Sequence, residues 1–272
     1  MHQRLIYERS NRVVYDLDGE HILKIGTGNP NEAETMKYVR NNTTLPVPKV
    51  INYWTHDEYN YILMEKVAGS TLESIWPTLQ EDEKRSILSQ LKAIVQEMRK
   101  VEFDFIGAVN RRPTMEYLIS RDPFGPLQTL DDFYDLRFSK MQLDGVFADF
   151  AHEQRKFKGV KFVLCHNDLG PYNILVEGGR ITAILDWEAS GSYPEYWEYA
   201  RNVFHCGYDD TWRKELEEIL KEWCFDDTIK RIEWFIYMVS IFTNQCNDEK
   251  DRLWTREVAL EIISGKRMKV NT

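Results

Sequence analysis

Hydrophobic and polar positions change their period near residue 65. Before it, short alternating runs separated by turn residues predict strands. Arg12-Val13-Val14-Tyr15-Asp16-Leu17 reads as a strand, Asp18-Gly19 as a tight turn, and His21-Ile22-Leu23-Lys24-Ile25 as the returning strand. Asn31 is placed to cap a helix running to about Arg40. Leu45-Pro46-Val47-Pro48-Lys49-Val50 must be extended, because proline restricts both itself and the residue before it. Tyr59-Asn60-Tyr61-Ile62-Leu63-Met64-Glu65 predicts a further strand, which Ala68-Gly69-Ser70 breaks.

Beyond that break the pattern turns helical. Thr78-Leu79-Gln80-Glu81 has the form of a capping box, and Ile87, Leu88, Leu91, Ile94, Val95 and Met98 recur at helical spacing. Residues 113–157 predict two or three helices with loops. Strands return at Phe162–Cys165, Asn173–Val176 and Ile181–Leu185, the last two joined by a Gly178-Gly179 hairpin turn. Trp212, Leu216, Ile219, Leu220 and Trp223 mark one helix face, and residues 228–243 predict a nearly all-apolar helix. No internal repeat interrupts the sequence.

Composition narrows the class. The 272 residues are 43% hydrophobic and 29% charged, enough for a substantial core in one large domain or two lobes. The net charge of −9, with no long Lys/Arg cluster, argues against a nucleic-acid partner. Cys165, Cys206, Cys224 and Cys246 form no C-x-x-C pair, which argues against a zinc site and suits a reducing compartment. The first residues lack the apolar stretch of a signal peptide, and no uncharged run is long enough to span a bilayer, so the expectation is a cytoplasmic protein without a membrane partner.

The chemistry concentrates in Cys165-His166-Asn167-Asp168-Leu169-Gly170-Pro171-Tyr172-Asn173 and in Ile184-Leu185-Asp186-Trp187-Glu188. An aspartate, an asparagine and a second aspartate at this spacing form a minimum set for phosphoryl transfer. Asp168, in a loop between apolar strands, would orient the attacking hydroxyl. A lone aspartate there would ordinarily cap its own turn; Asn173 and Asp186 in register tip the reading to catalysis. Asn173 opens a strand, where asparagine is disfavoured, so its side-chain oxygen is the reason for it. Asp186 ends an apolar strand and would be costly unless paired or bound to Mg²⁺ on nucleotide phosphates. The glycine hairpin brings Asn173 and Asp186 together.

His166 reads as a structural residue that holds the loop. Lys24, at an inward strand position, would reach α/β-phosphates, with Glu32 rather than Glu34 as its carboxylate partner. A glycine-rich turn over the phosphates is missing: the corresponding Glu8-Arg9-Ser10-Asn11-Arg12 leaves Ser10 and Asn11 as donors, or is an ordinary loop.

These residues resemble the aminoglycoside-phosphotransferase-like small-molecule kinases, especially their fungal branch. Ile22-Leu23-Lys24-Ile25-Gly26, Asn31-Glu32-Ala33-Glu34, Leu45 to Val50, Ile62 to Gly69, Cys165 to Asn173 and Ile184 to Glu188 carry the resemblance in order across most of the chain. It implies an α+β protein-kinase-like bilobal fold: a small antiparallel N-terminal sheet with one main helix, and a larger, mostly helical C-terminal lobe. The lobes would be residues 1–67 and 68–272, with a hinge near 65–69. The resemblance also implies ATP, with GTP as an alternative, and Mg²⁺. It assigns Lys24 to the phosphates, Glu32 to Lys24, the backbone from Glu65 to Val67 to adenine, Asp168 to the base, and Asn173 and Asp186 to metal. Where the family often has a bracing aspartate, this chain has Glu198, which would brace the catalytic loop with a longer arm.

Residues 187–197 leave no room for the long peptide-docking segment of protein kinases, so the acceptor is expected to be a small hydroxylated molecule. Asp131, Asp132, Asp135, Glu195, Trp197, Tyr208, Asp209 and Asp210 are candidates to line its pocket. Carboxylates with aromatic faces suit an amine-bearing ligand. Choline or ethanolamine kinase activity is one alternative, and a nucleotide-binding pseudokinase without turnover another.

Overall fold

The computed structural model describes residues 4–9, 11–27, 29–116, 119–138, 159–204 and 206–224. Five antiparallel strands open the fold: β1 (Arg4–Arg9), β2 (Arg12–Asp16), β3 (His21–Gly26), β4 (Val50–His56) and β5 (Tyr59–Glu65), in the spatial order β1-β2-β3-β5-β4. The β2–β3 turn closes where the sequence places it. Gly19 takes φ +90°, and its N–H donates to Asp16 Oδ1 at 2.7 Å. The edge strands β1 and β4 lie outside the sequence reading. Nearly all their residues are exposed, so ladder hydrogen bonds rather than burial hold them, and the period-two signal is weak.

Register decides which side chains meet. Lys24 pairs with Ile62, and Ile22 with Met64, so these four share a face of the sheet. Helix α1 (Glu32–Asn42) covers that face with Ala33, Met36 and Val39, which join Ile62 and Met64 in the main core. Asn31 stands at the N-cap position, but its side chain does not cap the helix; Nδ2 donates instead to Pro113 O at 2.7 Å.

After β5 the chain runs through β6 (Ser70–Thr71) and the short α2 (Leu72–Ile75) into α3 (Glu81–Arg99). The capping box of α3 sits two residues later than Thr78-Leu79-Gln80-Glu81 predicts. Gln80 is the N-cap, and its N–H donates to Glu83 Oε2 at 2.8 Å. A 3₁₀ turn at Trp76–Thr78, with Pro77 inside it, uses the Thr78 hydroxyl on Ile75 O and displaces the helix start. Ile87, Leu91, Val95 and Met98 are fully buried along one face of α3, as their spacing predicts.

Between α3 and the central motif come β7 (Glu102–Phe103), the pair β8 (Thr114–Glu116) and β9 (Ser120–Phe124), and α4 (Leu130–Phe138). The start of the region expected to be helical is therefore a strand pair; residues 139–158 lie outside the described residues. β10 (Phe162–Cys165) pairs with β7 and with β13 (Gly191–Pro194). β11 (Ile174–Glu177) and β12 (Arg180–Ile184) form the glycine hairpin, with Gly178 and Gly179 at φ +56° and +75°. The chain then makes a short helix α5 (Trp197–Tyr199), widens into a π-helical turn at Ala200–Phe204, and enters α6 (Asp210–Leu220). Trp212, Leu216, Ile219 and Leu220 are the buried face of α6. The apolar helix expected at 228–243 lies outside the described residues. Among the described residues, no helix is long and apolar enough to cross a membrane.

Two packed clusters support the site. The larger joins α1, α3, α6 and the β11–β12 hairpin. The second gathers Ile106, Phe133, Tyr134, Tyr193 and Trp197 behind β10 and β13. A connection crosses from the N-terminal part to the hairpin where Ile184 N–H donates to Pro46 O at 2.8 Å.

Candidate active site

Asp168 lies in the loop that leaves β10, and three groups converge on its carboxylate. The hydroxyls of Tyr172 and Tyr208 each donate to Oδ1 at 2.8 Å, and Asn173 Nδ2 donates to Oδ2 at 3.0 Å. Asn173 Nδ2 also reaches Asp168 O at 3.0 Å. This leaves the amide oxygen of Asn173 without a partner among the described residues. Asn173 does not open a strand as its context suggests; it closes the 3₁₀ turn Pro171–Asn173 just ahead of β11. Burial, with Asp168 nearby, raises the Tyr172 phenol; burial, then Cys206 and Asp168, raises Tyr208. Both phenols therefore stay protonated and act as donors.

The loop itself is built from below by buried polar groups. Glu198, on α5, accepts from His166 N at 2.6 Å, from Asn167 N at 2.7 Å and from Asn202 Nδ2 at 2.7 Å. Asn202, in the π-helical turn, accepts from Leu169 N at 2.8 Å. Glu198 and Asn202 are four residues apart, a spacing that sets both on one side of the helical segment, facing the loop. His166 bridges the loop to the hairpin: Nδ1 accepts from Asp168 N at 3.2 Å and Nε2 lies 3.0 Å from Leu185 O. That pattern places the ring proton on Nε2. Asn167 takes φ +71°, a left-handed conformation that asparagine tolerates, and its Nδ2 donates to Ala189 O at 2.7 Å.

Asp186 follows β12 in the left-handed region, at φ +65° and ψ +62°. This turns its carboxylate toward the N-terminal sheet. Lys24 Nζ lies 2.8 Å from Asp186 Oδ1 and 2.7 Å from both carboxylate oxygens of Glu32. Arg12 Nη1 donates to Asp186 Oδ2 at 2.6 Å, and Nη2 pairs with Glu188. Burial disfavours the charged form of Asp186, but Lys24 and Arg12 outweigh it and hold the carboxyl below its usual range. For Glu32, burial with the help of Asp186 and Glu188 pushes the other way, against Lys24. Burial also opposes the charge on Lys24, and the neighbouring carboxylates more than restore it. One oxygen each of Glu32, Asp186 and Glu188 lies within 4.8 Å of the others, a spacing that can hold a divalent cation once the resident cations move.

The hairpin closes the distance between the two halves of the motif. Ile174 pairs with Ile184, and Leu185 N–H donates to Asn173 O at 2.8 Å, so Asn173 and Asp186 flank one end of the hairpin. Glu34 points elsewhere and binds the Tyr53 hydroxyl. Ser10 lies outside the described residues. Asn11 is exposed in the β1–β2 turn, with its backbone oxygen taken by Thr27 N–H at 3.2 Å. Glu65 ends β5 with its N–H on Lys49 O and its carboxylate on Lys49 N and Arg40. Val67 is half-buried beyond it, and its backbone N–H and C=O are unengaged among the described residues.

A family model, the phosphotransferase enzyme family, matches residues 4–235. The chain belongs to that family. Two subtelomeric hrmA-associated cluster proteins of Aspergillus fumigatus are 28% and 40% identical to this chain over 123 residues, 42% of its length. The match spans only 24% of the length of each. An aminoglycoside 3′-phosphotransferase of Enterococcus faecalis is 24% identical over 164 residues, covering 57% of this chain and 58% of its own. Among solved structures, aminoglycoside phosphotransferase APH(4)-Ia in complex with AMP-PNP and hygromycin B superposes with a TM-score of 0.63 at 17% identity, covering 98% of this chain and 95% of its own. The streptomycin–ATP complex of APH(2″)-IIa gives 0.60 at 13% identity, covering 97% and 93%. These likenesses establish the α+β, protein-kinase-like fold.

Most of the acidic residues offered as candidates to line an acceptor pocket have partners of their own in the fold. Asp132 caps the start of α4, Asp209 caps α6, Asp210 pairs with Arg213, and Glu195 accepts from Lys161 N. Asp131 and Asp135 are exposed on α4, and Trp197 is wholly buried in the second core cluster. Of that group only Tyr208 touches Asp168. Sequence reasoning missed Arg12, Tyr172 and Asn202 as parts of the site. Tyr172, inside the motif, was the one with a visible signal; Arg12 and Asn202 reach the site only through tertiary packing.

Proposed function

We propose that this phosphotransferase moves the γ-phosphate of ATP to a hydroxyl of a small molecule, with Asp168 as the general base. The carrying observation is the ionic bridge from Glu32 through Lys24 to Asp186, which sets a cation at the junction of the N-terminal sheet and the β11–β12 hairpin. Lys24 is positioned to hold nucleotide phosphates there, and the free backbone groups of Val67 suit a purine edge. The domain limits that go with this reading are residues 1–67 and 68–272. Asp186 and the amide oxygen of Asn173 would hold Mg²⁺, with Glu188 nearby. Bound there, the ion supplies charge neutralisation for the transferring phosphoryl group.

The chain's own groups do the rest. Glu198 and Asn202 fix the loop, so Asp168 need not reorganise when the acceptor arrives. An acceptor hydroxyl takes a hydrogen-bonding place on Asp168 Oδ1 now held by a phenol, and gives up its proton to the carboxylate as its oxygen bonds to the γ-phosphorus, whose bond to the bridging oxygen breaks to release ADP. The test is ATP consumption with Mg²⁺ across aminoglycosides, choline, ethanolamine, sugars and hydroxylated amines. One class should stimulate turnover, and Asp168→Ala should lower that stimulation by about 100-fold or more while nucleotide binding persists. Stimulation that survives intact in the variant would remove Asp168 from the mechanism. Nucleotide binding with no transfer to any class would favour the pseudokinase alternative.

A further inference from the structure

We infer that Arg12 is a phosphate-binding residue, doing with a guanidinium what the backbone amides of a glycine-rich turn would do. In this structure it is the counterion of Asp186 and Glu188. This inference rests on the nucleotide-dependent reading above.

The sequence joining β1 to β2, Arg9-Ser10-Asn11-Arg12, has no glycine, the residue whose missing Cβ allows a backbone to approach phosphate closely. It is pinned from the side instead. Thr27 N–H donates to Asn11 O, and Gly26 is packed so tightly there that a Cβ would sit 3.0 Å from that oxygen. The first residue of β2 then sends its side chain across the cleft. Arg12 is only 18% exposed, and its fork engages two carboxylates, Asp186 at 2.6 Å and Glu188.

The charge inventory shows why a cation is needed there. In formal charges, Glu32, Asp186 and Glu188 bring three negatives together and Lys24 and Arg12 two positives, a cluster rich in carboxylate oxygens. A triphosphate entering such a cluster is repelled unless cations face it. A divalent ion bound to Asp186 would release the guanidinium from that carboxylate. Tethered at the rim of the cleft, the freed planar fork matches two phosphate oxygens. Arg12 would thus exchange carboxylate for phosphate, and Lys24 would keep Glu32 throughout.

Equilibrium titration separates this from a simple latch. Affinities for ATP, for adenosine and for Mg²⁺ alone would be measured on the wild-type chain, Arg12→Ala, Arg12→Lys and Glu188→Gln. Arg12→Ala should weaken ATP by about tenfold or more and leave adenosine within about twofold. It should also tighten Mg²⁺ measured without nucleotide, and Arg12→Lys should recover part of the ATP loss. Glu188→Gln, which loosens the guanidinium without removing it, should tighten metal-free ATP; it carries the test if the alanine variant does not fold. ATP affinity unchanged or increased in Arg12→Ala would overturn the inference and make the residue a latch. A wild-type chain that binds adenosine and ATP equally weakly would overturn the nucleotide reading as well.

Discussion

Glu198 has no exposed surface, yet it spends both carboxylate oxygens on amide donors of the loop that carries Asp168. A buried carboxylate is costly unless its acceptors are filled, and here three N–H groups fill them, with Arg99 Nη2 at 4.0 Å. Glu198→Gln keeps the shape but turns one acceptor into a donor facing another donor. We expect a loss of about 2 kcal/mol or more in a urea titration, and a lower transfer rate because the loop is no longer held. A variant with wild-type stability and rate would show that the loop is fixed by its other contacts. His166 belongs to the same class of residue: both ring nitrogens are spent on backbone groups, so its task is positioning.

Short connections between elements determine where the functional groups stand. Gly69 leads from the β5 end into β6, which pairs with β11 through Ser70 and Val176. It takes φ +127°, where side-chain-bearing residues are rarely found, and a Cβ there would meet Val176 O at 2.8 Å and Thr182 Oγ1 at 3.0 Å. Gly69→Ala should therefore cost about 2 kcal/mol or more in chemical denaturation, through strain and through separation of β6 from β11. An unchanged midpoint would mean that the junction relaxes without cost. The same hairpin sets the end at which Asn173 and Asp186 meet, and the left-handed turn at Asp186 aims its carboxylate at Lys24.

At the scale of the molecule, Lys24 and Arg12 join the N-terminal sheet to the carboxylates after β12. Both side chains are largely shielded, at 11% and 18% exposure, so solvent screens these pairs less than surface ones. Nucleotide that binds the folded chain alone should raise its melting temperature, by about 2.7 kcal/mol of stabilisation at a hundredfold excess over Kd. With Mg²⁺ the shift for ATP should grow, and Asp186→Asn should abolish that increment while a smaller metal-free shift remains. An equal magnesium increment in the variant would move the metal away from Asp186.

Strong periodicity and turn chemistry made the local elements legible: the β2–β3 hairpin, β5, the buried faces of α3 and α6, and the Gly178-Gly179 hairpin. Asp168, Asn173 and Asp186 stand out by their spacing, Lys24 and Glu32 by their places on a strand and the next helix, and Glu198 only through the family resemblance. The Lys24–Glu32 pair and the bracing of the loop by Glu198 were legible in the sequence, whereas the remaining partners come from long-range contacts. Arg12 and Asp186 stand 174 positions apart, Lys24 and Asp186 162 apart, and Tyr208 and Asp168 40 apart. No local pattern encodes such contacts; strand register and the packing of separate elements create them. The same holds for the acidic residues near 131 and 209. In sequence they look like an anionic pocket for an amine-bearing ligand, but in the fold Asp132 and Asp209 cap helices and Asp210 pairs with Arg213, since an N-terminal backbone amide is the nearest unsatisfied donor.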